Sequence, residues 1–141
     1  MRFWDSSALI SSIAEQPGDA ALKPLMEADP AMALWWGTRV ELASGLCRLR
    51  RENTIGDDTL ARLLRRAEQI SGEADAIDPT ELLREEAVRL VRTHDLRAGD
   101  ALQLAAALAW ADHKPSGLGF VCLDKRLREA AAKEGFTVLP H

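Results

Sequence analysis

Residues 96–111 constrain the fold more than any other stretch of the chain, because they are helical in length and apolar on almost every side. Their sequence is LRAGDALQLAAALAWA, and only Asp100 and Gln103 interrupt the apolar body once the helix has begun. A helix that is hydrophobic all round is usually a buried one. At about 24 Å it is too short to span a membrane. The remainder of the chain must therefore enclose this helix.

Asp100 is the unusual residue of this helix, because a carboxylate is unfavourable to bury unless positive charge lies beside it. The helix N-terminus supplies part of that charge, and a metal ion would supply more. Gln103 follows three residues later, so the two polar side chains share one face of the helix. Other groups that require a cation are therefore candidates for the neighbourhood of Asp100.

The bulk properties of the chain predict one domain over residues 1–141, which is long enough to bury a proper core. The net charge of −4 argues against a protein that coats nucleic acid, although not against one that meets nucleic acid through a bound cation. Cys47 and Cys122 are far apart and predict neither a disulfide framework nor a zinc site. No signal peptide or membrane segment is expected, so a reduced, cytoplasmic protein is the default.

Short apolar segments alternate with amphipathic ones along the chain. The segments that predict strands are residues 2–4, 31–35, 74–77, 119–123 and 136–139. Those that predict helices are residues 8–15, 19–28, 38–52, 57–71, 78–94, 96–111 and 125–134. This alternation predicts βαβ units and a mainly parallel, five-stranded sheet with helices on both faces, which is a three-layer α/β/α sandwich.

Acidic residues fall at corresponding points of this predicted layout. Asp5 and Asp124 stand at the carboxyl ends of strands, whereas Glu41 and Asp100 stand in the first turns of helices. Strand carboxyl ends and the helix N-termini that follow them lie at the same edge of an α/β sheet. Converging carboxylates repel each other unless a cation joins them, and their oxygens suit Mg²⁺ or Mn²⁺. A metal site built from these acids is therefore predicted.

Each acid also has a simpler explanation when it is taken alone. Thr38 and Glu41 have the spacing of a capping box, which would account for Glu41 completely. Asp5 and Asp124 could merely cap helices. Asp100 is harder to explain in this way, because the helix around it is so apolar. The occurrence of all four at one predicted edge favours a site.

Four segments then occur in order along nearly the whole chain: FWDSSAL at residues 3–9, TRVEL at 38–42, LRAGDALQLAAA at 96–107 and FVCLDKRL at 120–127. Together they resemble the PIN-domain ribonucleases, and among them most closely the VapC-type toxins of bacterial toxin–antitoxin pairs. The resemblance implies a PIN-like fold and an acidic quartet that holds Mg²⁺ or Mn²⁺. The residues that match this quartet are Asp5, Glu41, Asp100 and Asp124.

The resemblance also concerns residues next to the quartet. Ser7 matches a small hydroxyl residue that supports the site near the first acid. Cys122 is a departure, because the family often has Thr or Ser two positions before the last acid. A thiol is a poorer hydrogen-bonding group than a hydroxyl. We therefore expect altered support for Asp124 without loss of activity.

The function that the resemblance implies is metal-dependent endoribonuclease activity, with hydrolysis of RNA phosphodiester bonds that leaves a 5′-phosphate. It further implies a toxin that is inhibited by a cognate antitoxin protein and that forms a homodimer. Two alternatives stay open. A non-catalytic PIN-fold module would bind nucleic acid or protein, although its usual mark is the loss of quartet acids. A HAD-like phosphohydrolase would need an acid where Ser7 stands.

Two further side chains are candidates for contact with RNA. Arg48 lies two helical turns beyond Glu41 and could hold a substrate phosphate, or else be solvated or paired with an acid. Trp36 could stack on a base at the mouth of the site, whereas Trp35 is expected in the core. The three histidines are scattered, predict neither a triad nor a metal cluster, and are expected at the surface.

Overall fold

Parallel strands alternate with helices throughout residues 1–141, all of which the computed structural model describes. The strands are β1 (Arg2–Trp4), β2 (Met32–Trp35), β3 (Asp75–Ile77), β4 (Gly119–Val121) and β5 (Thr137–Leu139). The helices are α1 (Ser6–Ile13), α2 (Lys23–Ala28), α3 (Thr38–Arg51), α4 (Asp57–Glu73), α5 (Glu81–Thr93), α6 (Ala98–Trp110) and α7 (Lys125–Glu134), with a 3₁₀ turn over Asp19–Ala21.

The strands form one sheet in the order β3-β2-β1-β4-β5, and every neighbouring pair is parallel. The predicted three-layer α/β/α architecture with a five-stranded sheet is therefore confirmed. Strand β1 is central, and its Phe3 is in register with Ala33 on β2 and Phe120 on β4. From β1 the chain moves outward to β2 and β3 on one side, and later to β4 and β5 on the other.

Alternate strand residues supply two separate cores, because successive side chains point to opposite faces of a sheet. On one face Phe3 and Phe120 pack against α5, α6 and α7. On the other face Trp4 and Val121 pack against α1, α3 and α4. Helix α6 is buried as expected, and it packs against α5 and β2.

Several element boundaries differ from the expectation for local chemical reasons. Residues 19–28 do not form one helix, because Pro24 is tolerated only in the first turn of α2 and so separates it from the 3₁₀ turn. Helix α5 begins at Glu81, with the Thr80 hydroxyl rather than Asp78 as its cap. Strand β4 ends at Val121, because the Leu123 N–H donates to the Ser7 hydroxyl at 3.1 Å.

None of the helices combines the length and the apolar composition that crossing a membrane requires.

Candidate functional site

The four predicted acids lie on elements that meet at the carboxyl edge of the sheet. Asp5 directly follows β1 and caps α1, and Asp124 follows the β4 segment and caps α7. Glu41 and Asp100 occupy the first turns of α3 and α6. The chain leaves β1 and β4 toward opposite sides of the sheet. This edge between β1 and β4 is therefore the switch point at which parallel α/β sheets bind ligands.

Asp5 is the most deeply buried of these acids, with 3% of its surface exposed. Its Oδ2 accepts hydrogen bonds from the Ser7 N–H at 3.0 Å and from the Ser7 hydroxyl at 2.5 Å. Burial raises the pKa of the Asp5 carboxyl above its ordinary value, the Ser7 hydrogen bonds oppose that shift, and the charge of Glu41 adds to it. Asp5 is therefore held firmly, yet its negative charge is not compensated.

Ser7 and Cys122 connect Asp5 to the strand that precedes Asp124. The Ser7 hydroxyl donates to Asp5 and accepts from the Leu123 N–H, which ties the ends of β1 and β4 together. The Cys122 thiol lies 3.5 Å from Asp5 Oδ2 and 3.6 Å from the Asp124 carbonyl oxygen. Burial raises the pKa of this thiol far above its ordinary value. Cys122 therefore stays protonated and is a weak donor toward Asp5.

Glu41 is held by side chains from two other helices. The Ser6 hydroxyl donates to Glu41 Oε2 at 2.6 Å, and Gln103 Nε2 donates to Oε1 at 3.2 Å. Burial raises the pKa of the Glu41 carboxyl, these two hydrogen bonds lower it, and the charge of Asp100 raises it further. Glu41 thus faces the other acids.

The capping box suggested for Glu41 is wrong. Gly37 is the N-cap of α3, and no side chain caps this helix. Thr38 is fully buried inside the first turn, where its hydroxyl accepts from Gln103 Nε2 at 3.0 Å. With both its oxygens turned toward Ser6 and Gln103, the Glu41 carboxylate has no capping role.

Asp100 and Asp124 complete the group. Asp100 is half-buried, and its carboxylate has no hydrogen-bond partner. Burial raises the pKa of this carboxyl, and the negative charges of Asp124 and Asp5 raise it further. The positive charge of Arg97 lowers it. Asp124 Oδ1 accepts from the Leu127 N–H at 3.0 Å, which caps α7. Glu41 thus acts on Asp5, Asp100 acts on Glu41, and Asp5 and Asp124 act on Asp100, which links the four acids electrostatically.

The chemistry of the four carboxylates fits a hard divalent cation. No Lys, Arg or His forms an ion pair with any of them. Their oxygens are the ligands that Mg²⁺ and Mn²⁺ prefer. No group of three or more His, Cys, Asp or Glu side chains, however, stands arranged so that it could already hold a metal ion. The structure therefore provides the donors and the uncompensated charge, but not a preformed cage.

Ser6 and Gln103 are contacts of the site that sequence analysis did not single out. Gln103 carried a signal, because it is the second polar residue on the face of α6 that carries Asp100. Ser6 carried none, since a serine after a strand is an ordinary start for a helix. Their contacts with Glu41 depend on how α1, α3 and α6 pack together.

The side chains considered for RNA contact lie apart from these hydrogen bonds. Arg48 is exposed and pairs with Glu52 one turn later at 3.3 Å, which agrees with the acid-paired alternative. Trp36 is 59% exposed and meets the buried Trp35 edge-on, with 6.3 Å between ring centroids.

His94 is not at the surface as expected, because its ring is buried against Glu134 at 2.8 Å.

Comparison with known proteins agrees with this fold. The PIN domain model matches residues 2–133. The chain is 27% identical over 138 residues to Ribonuclease VapC45 of Mycobacterium tuberculosis, covering 98% of this chain and 94% of that protein. FitAcB from Neisseria gonorrhoeae has a similar fold, with a TM-score of 0.68, 17% identity and coverage of 99% of this chain and 97% of that chain.

A toxin–antitoxin complex from Klebsiella pneumoniae is also similar in fold, with a TM-score of 0.65, 20% identity and coverage of 89% of both chains. At these identities the solved structures bear on the fold alone, whereas the domain match extends over nearly all of the chain. The chain belongs to the PIN-domain family.

Proposed function

We propose that this protein is a Mg²⁺- or Mn²⁺-dependent endoribonuclease that hydrolyses RNA phosphodiester bonds and acts as the toxin of a toxin–antitoxin pair. The observation that carries the proposal is the convergence of four carboxylates, without any cationic partner, at the switch point of a PIN-family sheet. Its relative in Mycobacterium tuberculosis is named a ribonuclease. We also place the whole of residues 1–141 in one cytoplasmic domain.

Asp5, Glu41, Asp100 and Asp124 are the residues that would hold the ion. When bound, a divalent ion lowers the pKa of a coordinated water and offsets negative charge at the reacting phosphate. The surrounding side chains keep the acids in place, since Ser7 and Cys122 contact Asp5, while Ser6 and Gln103 contact Glu41. Asp100 accepts no hydrogen bond, so both its oxygens stay available.

Water is the nucleophile in this proposal. The Ser7 hydroxyl already donates to Asp5 and accepts from the Leu123 N–H, which leaves it unsuited to attack phosphorus. Hydrolysis forms a bond between the water oxygen and phosphorus and breaks the bond to the 3′ oxygen, which takes up a proton as it departs. The products are a 5′-phosphate and a 3′-hydroxyl. A carboxylate that accepts no hydrogen bond from the protein, such as that of Asp100, is suited to accept the proton that leaves the attacking water.

The test is RNA cleavage by the purified protein, followed by sequencing of the new 5′ ends. We expect cleavage with Mg²⁺ or Mn²⁺ and none with EDTA, and Asp100→Asn should lower the rate at least about a hundredfold. Arg65→Gln, at an exposed position on α4, is the control and should cleave normally. Full activity of Asp100→Asn would contradict the proposal. Mn²⁺ binding without cleavage would favour the non-catalytic module, and hydrolysis of small phosphomonoesters would favour a HAD-like enzyme.

A cognate antitoxin is the protein partner in this proposal, and a groove of about 700 Å³ between α1, α2 and α4 supports it. Its lining combines apolar side chains, such as Ile13, Met26 and Leu63, with charged ones, such as Lys23 and Arg62. Such a groove suits the apolar face of a partner helix. In the same cleavage experiment, a cognate antitoxin is expected to suppress activity, and Met26→Glu should weaken that suppression.

A further inference from the structure

Gln103 is a polar side chain in the most apolar helix of the molecule. Its exposed fraction is 0%, and the residues that follow it in α6, from Leu104 to Leu108, are buried and apolar. An amide buried in such surroundings is unfavourable unless its hydrogen-bonding groups find partners. The partners that Gln103 has therefore indicate why an amide is tolerated at this position.

Both hydrogens of the Gln103 amide nitrogen are directed to α3. One lies toward Thr38 Oγ1 at 3.0 Å and the other toward Glu41 Oε1 at 3.2 Å. The Oε1 atom of Gln103, by contrast, is buried without any hydrogen-bond partner. An ionised carboxylate only accepts hydrogen bonds, so Glu41 requires the nitrogen side of the amide. The amide is thus oriented for Glu41, although its own oxygen is left without a partner.

The Glu41 carboxylate is consequently held from two sides. Ser6, at the start of the helix that Asp5 caps, donates to Oε2 at 2.6 Å. Gln103, one turn beyond Asp100 on α6, donates to Oε1. The two donors therefore link Glu41 to the helices that carry two of the other acids. Ser6 and Gln103 thus fix both oxygens of the Glu41 carboxylate from two different helices.

We propose that Gln103 is a positioning residue for the nuclease activity: its amide holds the Glu41 carboxylate beside Asp100, so that the acids receive a divalent cation together. This inference rests on the proposed function. A glutamate side chain has three rotatable bonds and would turn away from a like charge if nothing held it. Groups that orient metal ligands in this way affect metal affinity and activity by about tenfold to a hundredfold when they are removed.

The test compares Gln103→Met with the wild type by Mn²⁺ titration in a calorimeter and by the rate of RNA cleavage. Methionine has a similar length and volume but no donor. We expect Mn²⁺ affinity and kcat each to fall about tenfold to a hundredfold, with the KM for RNA little changed. Leu104→Met is the matched control, because Leu104 is the next residue of α6, equally buried and not in hydrogen-bond contact with the acids. Its Mn²⁺ affinity should equal that of the wild type.

A double-mutant cycle separates positioning from a general effect on packing. In a Glu41→Gln background, Gln103→Met should cause little further loss of Mn²⁺ affinity, because the group it acts through is already changed. Additive losses would overturn the proposal, as would wild-type affinity and rate in the single variant. If Gln103→Met does not fold, Gln103→Leu serves instead, since it also removes the donor and is apolar like the residues around it. Wild-type Mn²⁺ affinity in that variant would equally overturn the proposal.

The cycle also distinguishes this inference from the proposed function. If the wild type binds Mn²⁺ but cleaves no RNA, the nuclease proposal fails, and the affinities still decide whether Gln103 positions Glu41. If the wild type binds no Mn²⁺, both are overturned.

Discussion

Asp5, Glu41 and Asp100 share a property that opposes folding at neutral pH. The pKa of each carboxyl is raised in the folded protein, mainly by burial. An acid with a raised folded-state pKa binds its proton more tightly in the folded protein than in the unfolded chain. Its contribution to stability is fully present below its ordinary pKa and is lost as the pH rises through the folded-state pKa. Without a cation, these acids therefore destabilise the protein at neutral pH.

Asp100→Asn tests this cost directly, because the Asp100 carboxylate accepts no hydrogen bond that the amide would lose. In EDTA near pH 7 we expect the Tm of the variant to exceed that of the wild type by about 2–5 °C. Mn²⁺ should raise the Tm of the wild type and raise that of the variant much less. Thermal unfolding followed by circular dichroism measures both.

Glu85→Gln is the matched control for that experiment, since it removes an acid from an exposed position on α5. It should leave the Tm in EDTA and the response to Mn²⁺ unchanged. Equal Tm values for Asp100→Asn and the wild type in EDTA would contradict the interpretation.

The sequence predicts where the acids lie on their elements, but it does not predict which side chains contact them. The positions of the four acids on their elements follow from strand and helix patterns alone, because the carboxyl edge of a parallel sheet is a property of topology. The partners of Glu41 do not follow, since Ser6 and Gln103 are 35 and 62 residues away from it in the chain. Local spacing instead suggested a capping box with Thr38, which the tertiary contact with Gln103 replaces.

Helices α5 and α7 are joined by a charged contact that sequence analysis also missed. Glu134, in the last turn of α7, accepts a hydrogen bond from Arg89 of α5 and contacts the buried ring of His94 at 2.8 Å. Burial raises the pKa of the Glu134 carboxyl, but the contacts with Arg89 and His94 outweigh this, so the pKa lies below its ordinary value. The contact therefore stabilises the packing of these helices on one face of the sheet.

Glu134→Gln removes the charge from this contact and should lower the free energy of unfolding by about 1–3 kcal/mol near pH 7. An acid with a lowered pKa contributes stability above its ordinary value, here 4.5, and loses it as the pH falls through the folded-state pKa. The difference between variant and wild type should therefore decrease as the pH falls below 4.5. Urea unfolding across this pH range measures it.

Glu129→Gln, one turn earlier in α7 and exposed, is the control and should unfold like the wild type. A difference for Glu134→Gln that persists unchanged to low pH would show that the charge is not the cause.

The order and type of the elements follow from the sequence, whereas their ends depend on single contacts. Hydrophobic periodicity is repeated over whole segments, which is why five strands and the helices between them were predictable. A boundary depends on one group, such as the Thr80 hydroxyl that begins α5 or the Ser7 hydroxyl that ends β4. Several residues near each boundary could begin or end the element, and the contacts made in the folded protein decide which of them does.

At the scale of the whole molecule, apolar side chains remain exposed on two helices. Val40 on α3 is 70% exposed, Trp36 is exposed four residues earlier in the chain, and Leu82 and Val88 are exposed on α5. Exposed apolar groups that lie together are typical of surfaces that meet another protein chain. Trp36 and Val40 therefore support the homodimer that the resemblance to VapC-type toxins implies, and we propose it for this protein.

Size-exclusion chromatography with light scattering should give a mass of twice the 15.5 kDa of one chain at micromolar concentration. Val40→Glu should shift this mass toward one chain, because a buried charge in the interface would lack a partner. Arg65→Glu also changes charge at an exposed position but lies on α4, and it should leave the mass unchanged. A wild-type mass of one chain would contradict the homodimer.

The pairing of β1 with β4 determines when the acidic edge can form during synthesis of the chain. Strand β1 emerges from the ribosome long before its partner β4, whose Phe120 is in register with Phe3. Asp5 is therefore made well before Asp124 can come near it. A nascent chain, or one that stops before residue 124, cannot assemble the acidic site. The topology thus delays assembly of the acidic edge until residue 124 has been made.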